Sequence, residues 1–115
     1  MKIQCKRVYD TASPNDGYRV LVDRLWPRGI KKADLAFDEW CKTLAPSTAL
    51  RKAFHAETLD FAAFRQAYLE ELAEQTAEGK KLAARKNQRP LTLLYAAKNE
   101  QQNHARVLAD WLESL

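Results

Sequence analysis

Residues 18–29, Tyr18-Arg19-Val20-Leu21-Val22-Asp23-Arg24-Leu25-Trp26-Pro27-Arg28-Gly29, decide the fold. Val20, Leu21 and Val22 follow one another with no polar residue between them, as in a strand covered on both faces of a parallel or mixed sheet. Residues 18–23 therefore read as a central strand. Pro27 has no amide for a ladder and holds Trp26 extended, so the strand gives way to a loop at 24–29. A second run, Leu91-Thr92-Leu93-Leu94-Tyr95, follows Pro90 and has the same apolar continuity. It reads as another buried strand.

Outward from these two, residues 2–9 alternate imperfectly and predict a first strand, and Ser13-Pro14-Asn15-Asp16-Gly17 marks the loop after it. In residues 36–44, Phe37, Trp40, Cys41 and Leu44 fit helical spacing, whereas the short length and the following Ala45-Pro46 fit a strand; of the two, a strand is expected. Ser47 reads as the N-cap of a short helix with Leu50 and Phe54 one turn apart. A longer helix starts near Asp60 and turns Phe61, Phe64, Tyr68 and Leu72 to one side. Gly79 is expected to break the chain, which resumes as a third helix to about Asn87. The last helix is expected after Asn99, in a capping box with Gln102, with Ala105, Leu108, Trp111 or Leu112, and Leu115 as its stripe. The order is strand, strand, strand, three helices, strand, helix. This predicts a single small α/β domain over residues 1–115, about four mostly parallel or mixed strands with helices packed on the sheet.

Composition agrees. The 115 residues are 46% hydrophobic and 30% charged, with 3 Gly and 4 Pro, which excludes disordered, collagenous and low-complexity classes. Apolar runs of a few residues predict no membrane span, and the early charges at Lys2, Lys6 and Arg7 predict no secretory signal, so a cytoplasmic location is expected. Cys5 and Cys41 form no CxxC and no cluster with the 2 histidines, so neither a metal site nor a disulfide framework is expected. Charge is segregated: residues 1–32 carry a net +5, residues 33–78 a net −5, and residues 79–115 a net +4. Basic ends brought together would attract phosphate-bearing partners, although Lys80, Lys81, Arg85 and Lys86 also fit the wet face of a helix.

Open parallel sheets bind ligands beyond the carboxyl ends of their strands, and three segments fall there. In the first, Asp23 and Arg24 precede Trp26 and Arg28: guanidinium forks grip phosphate or carboxylate oxygens, and an indole offers a stacking plane. The structural alternative is an Asp23–Arg24 ion pair with Trp26 as a core plug. In the second, Ser47 begins a helix whose free amides suit an anion or a plain cap. In the third, Tyr95, Lys98, Asn103 and His104 offer a phenol, an amine, an amide and an imidazole between a strand and a helix. His55 reads as a C-terminal dipole partner. Ser47, His104 and Asp23 would supply a triad by residue type, but no nucleophile-elbow motif surrounds Ser47.

The segments VDRLWPRG (22–29), LAPS (44–47), LRKAFH (50–55), the Phe61, Phe64, Arg65, Tyr68 arrangement and TLLYAAKNEQQNHARVL (92–108) resemble the YeaO-like branch of domain-of-unknown-function family 488. The resemblance covers nearly the whole chain. It implies a small bacterial cytosolic α/β protein with Asp23, Arg24, Trp26, Pro27, Arg28, Pro46, Ser47, Arg51, Tyr95, Lys98 and Asn103 as motif positions. Longer relatives carry a cysteine-and-histidine motif near the last strand, where this chain has Tyr95-Ala96-Ala97-Lys98, so no thiol chemistry is implied here.

The residues thus predict a site for a phosphorylated or nucleotide-like small molecule, catalytic or only binding, on Asp23, Arg24, Trp26, Arg28, Ser47, Tyr95, Lys98 and Asn103. The alternative is a nucleic-acid-binding or regulatory accessory module using the basic surface. It ranks lower because no helix-turn-helix, zinc-finger or single-strand-binding signature is present.

Overall fold

The computed structural model describes residues 3–115, apart from the side chain of Lys86. Lys2, expected to open the first strand, and the expected exposure of Lys86 lie outside the described residues. Strands β1 (Ile3–Arg7), β2 (Tyr18–Leu21), β3 (Glu39–Trp40) and β4 (Leu91–Tyr95) form one sheet in the order β1-β4-β2-β3. Every neighbouring pair is parallel. The two apolar runs, β2 and β4, are the interior strands, as their lack of polar alternation predicts. Because all pairs are parallel, the carboxyl ends of the four strands meet along one edge.

Period-2 geometry sends successive side chains to opposite faces. Val20, Val22, Leu91, Leu93 and Tyr95 join one core with the helices, whereas Leu21 and Leu94 join Val8 and Leu35 in a second. Helices α1 (Thr48–His55), α2 (Phe61–Ala73), α3 (Thr76–Ala84) and α4 (His104–Glu113) cover the first face, with α4 lying on β1 and β4. The second face is closed by the chain between β2 and β3, through Trp26, Ile30, Phe37 and Trp40. Burying one such Leu or Val contributes roughly 1.5–3 kcal/mol, so both cores hold the sheet.

Three boundaries differ most from the sequence reading. The strand expected over 36–44 shrinks to Glu39–Trp40, because this edge strand pairs only with Val20 and Leu21 and the chain then turns away. Gly79 does not break a helix: it lies inside α3, where its missing side chain leaves room for the ring of Trp111. The break falls earlier, at Glu74–Gln75 between α2 and α3. The last helix is capped by Asn103, whose Oδ1 accepts the Arg106 amide at 3.0 Å. Asn99 instead accepts the amides of Gln101 and Gln102, both at 2.9 Å, and builds the turn before the cap.

The amino edge of the sheet is closed by a buried carboxylate. Asp16 accepts from the Ser13 amide at 3.0 Å, from Lys6 Nζ at 3.1 Å and from the Arg19 guanidinium. Thr92 Oγ1 donates to its carbonyl at 2.7 Å, tying the loop to β4. Gly17 follows with φ +66°, and a side chain there would run into the carbonyl of Pro90.

Candidate functional site

Past Leu21 the chain leaves β2 as Val22-Asp23-Arg24-Leu25-Trp26-Pro27-Arg28, and past Tyr95 it leaves β4 as Ala96-Ala97-Lys98. Both loops are anchored by β1 and the residues after it. Arg7 donates from Nε to the carbonyl of Ala97 at 2.9 Å and from Nη2 to that of Ala96 at 3.3 Å. Tyr9 donates to the carbonyl of Arg28 at 2.9 Å, and Trp40 Nε1 to that of Asp23 at 2.7 Å. Between the loops and α1 lies a cavity of about 500 Å³. That volume is within the range of small-molecule sites.

The cavity brings together Asp23, Arg24, Trp26, Arg28, Lys98 and Asn103. Arg24 does not pair with Asp23. Its Nε donates to the carbonyl of Pro46 at 3.1 Å and its Nη2 to that of Ala45 at 3.3 Å, which fixes the loop before α1. Trp26 meets Phe37 and Trp40 edge-on at centroid distances of 5.6 and 5.4 Å, and its Nε1 donates to the carbonyl of Ile30 at 2.6 Å. It therefore serves the second core and the cavity wall together. Arg28 and Lys98 are exposed at the rim, whereas Asn103 is buried and spent on its cap.

Two expected residues stand apart from the cavity lining. Ser47 is taken up by a carboxylate of the chain itself: its amide donates to Glu71 Oε1 at 2.9 Å and its Oγ to Oε2 at 2.6 Å. Glu71 thus fills the anion position at the start of α1. Tyr95 is 1% exposed in the helix-facing core, where burial raises its phenol pKa.

Arg51, Phe54, His55, Phe64 and His104 also line the cavity. Arg51 and His55 are four residues apart on α1, hence on one face, and that spacing from Ser47 was the signal available in the sequence. His104, on the first turn of α4, brings Nε2 to 2.9 Å from Asp23 Oδ1. No hydrogen bond joins the two, and both atoms are buried without a partner, as is Arg51 Nε. The other carboxylate oxygen, Asp23 Oδ2, accepts the Ala96 amide at 3.0 Å. Two members of the sequence-level triad, Asp23 and His104, do meet, while Ser47 is held by Glu71.

Neither cysteine is poised as a nucleophile. Burial pushes the Cys5 thiol up to about 11, and its Sγ contacts the carbonyl of Ala105 at 3.5 Å. Burial also raises Cys41. Among the described residues no group of three or more His, Cys, Asp or Glu side chains is arranged to hold a metal ion, and no helix is long and apolar enough to cross a membrane.

Comparison with known proteins places this architecture. The chain is 68% identical over 115 residues to uncharacterized protein YeaO of Escherichia coli (strain K12), with 100% of both covered. It is 42% identical over 113 residues to uncharacterized protein Mb3100c of Mycobacterium bovis, covering 96% of this chain and 93% of the relative. The same figures hold for uncharacterized protein Rv3073c of Mycobacterium tuberculosis. No solved structure matches the chain. The family model described as the inactive DUF488-N3 subclade matches residues 2–115, and the chain belongs to that family.

Proposed function

We propose that the chain binds an anionic small molecule, phosphorylated or nucleotide-like, in the cavity at the carboxyl edge of its sheet. The observation that carries this reading is Arg51: its guanidinium Nε is buried with no acceptor inside a cavity. A buried donor left unpaired is costly, and an oxyanion satisfies it best. With it, the lining has four cationic side chains, Arg24, Arg28, Arg51 and Lys98, against one carboxylate, Asp23. The description of the subclade as inactive favours a binding role over turnover. The nucleic-acid alternative has less support, because Arg85 and Arg89, which would extend a basic stripe, lie over Tyr18 and pair with Glu39 and Asp38.

The test is thermal unfolding in the presence of inorganic phosphate and ribose 5-phosphate. At ~100 times the dissociation constant a ligand adds about 2.7 kcal/mol, or about 10 °C for a chain of this length. Arg51→Gln should abolish the rise, whereas Lys80→Ala and Lys81→Ala, on exposed positions of α3, should leave it intact. Equal loss in all three variants would mean diffuse electrostatics and would favour the nucleic-acid surface. No rise with the unaltered chain would remove the ligand-site reading.

A further inference from the structure

The same cavity contains a second unmet demand, of opposite sign to that of Arg51. Asp23 Oδ1 is a buried carboxylate oxygen with no donor, although its partner oxygen already accepts the Ala96 amide. The nearest cation in sequence cannot supply the donor from Nε or Nη2, because those atoms of Arg24 are bound to the Pro46 and Ala45 carbonyls. His104 Nε2 stands 2.9 Å away without forming a hydrogen bond to it. An orphaned carboxylate oxygen is expensive to bury, so a ligand that brings an N–H group to it gains more than ordinary affinity. Beyond Asp23 the wall is aromatic: Phe54 and Phe64 both line the cavity and stack with centroids 4.3 Å apart and planes 20° apart. The lining therefore holds both an aromatic surface and a carboxylate acceptor.

We infer that the ligand is a nucleoside monophosphate, its base placed against Phe54 with an amino or ring N–H on Asp23 Oδ1, and its phosphate on Arg51 with Arg28 and Lys98 at the rim. This rests on the anion-binding reading above and adds the base to it. A free amino acid would also bring a donor and an acceptor. It is a zwitterion without net charge, however, and the excess of cations in the lining suits a dianionic phosphate.

Isothermal titration of the full chain with AMP, GMP, CMP, UMP, ribose 5-phosphate and L-phenylalanine tests the assignment. At least one nucleotide should bind about tenfold or more tightly than ribose 5-phosphate, the gain of one charge-assisted hydrogen bond. Asp23→Asn keeps an acceptor for Ala96 but turns an amide N–H toward the base. It should cut that preference to within about threefold, with ribose 5-phosphate binding to the same variant as the reference. Four nucleotides no tighter than ribose 5-phosphate, a preference that survives Asp23→Asn, or L-phenylalanine binding tighter than ribose 5-phosphate would each overturn the inference. Should Asp23→Asn fail to fold, the panel on the unaltered chain decides alone. Binding of ribose 5-phosphate without any base preference defeats this inference and spares the anion site, whereas no binding of any phosphate defeats both.

Discussion

Asp16 and Asp23 are carboxylates with opposite fates. Burial works against the charge of Asp16, yet the hydrogen bonds from Ser13, Lys6 and Arg19 together outweigh it and lower its pKa below the ordinary 3.8. A folded-state pKa below the unfolded value means that the stabilisation is complete above the ordinary carboxylate range and is lost as pH falls through the lower folded value. Asp16→Asn should therefore lower stability near neutrality and flatten its acid dependence. Denaturant midpoints measured from about pH 6 down to pH 2 should fall more steeply for the unaltered chain than for the variant. Parallel slopes would mean that Asp16 does not couple folding to protonation. Asp23, by contrast, has one oxygen accepting the Ala96 amide and the other buried without a hydrogen bond, 2.9 Å from His104 Nε2.

Among the elements, α3 shows how a glycine can be required by packing alone. A methyl group on Gly79 would overlap the six-membered ring of Trp111 and crowd Leu115 Cδ1 at 2.9 Å, so α3 and α4 must separate to admit it. Gly79→Ala gains helix propensity of about 1 kcal/mol and loses packing of about 1–3 kcal/mol. The net effect should be a lower melting temperature. A variant as stable as the parent, by thermal or urea unfolding, would show that the two helices are not closely docked. Here lies the limit of local reading: a glycine weakens a helix considered alone, but residue 111 is invisible to a window around residue 79. The interior strands were legible because two-sided burial writes itself as an unbroken apolar run. The edge strand β3 was legible as a strand but not in its extent, since only two of its residues pair. Of the cavity lining, Asp23, Arg24, Trp26, Arg28, Lys98 and Asn103 were legible because they follow the ends of strands in a parallel sheet. Arg51 and His104 could not be ranked, because their significance comes from what fails to meet them. Ser47 misled for the same reason: Glu71, 24 positions away, answers its demand.

At the scale of the molecule, the two edges of the sheet are finished differently. At the amino edge the Asp16 carboxylate has its hydrogen bonds, and Gly17 lets β2 start against Pro90. At the carboxyl edge Asp23 Oδ1, His104 Nε2 and Arg51 Nε are all buried and unpartnered around one cavity. A fold that satisfies one edge and leaves polar atoms unpaired at the other keeps hydrogen-bonding capacity there that a ligand would use. Stability should therefore be uneven before binding and redistributed by it. Hydrogen exchange of the free chain should be slowest in β4, which is fully buried and paired on both sides, and faster at the Cys41 amide, which donates to Leu21 from the sheet margin. Saturation with ribose 5-phosphate should then slow exchange in residues 23–29 and 96–104, the loops that carry Asp23 and His104, by about tenfold or more if opening there becomes costlier by about 1.4 kcal/mol. Residues 10–17 at the other edge should not change beyond the global shift. Uniform slowing at both edges would point to general stabilisation by anions, and slowing confined to 10–17 would place the site on the wrong side of the sheet.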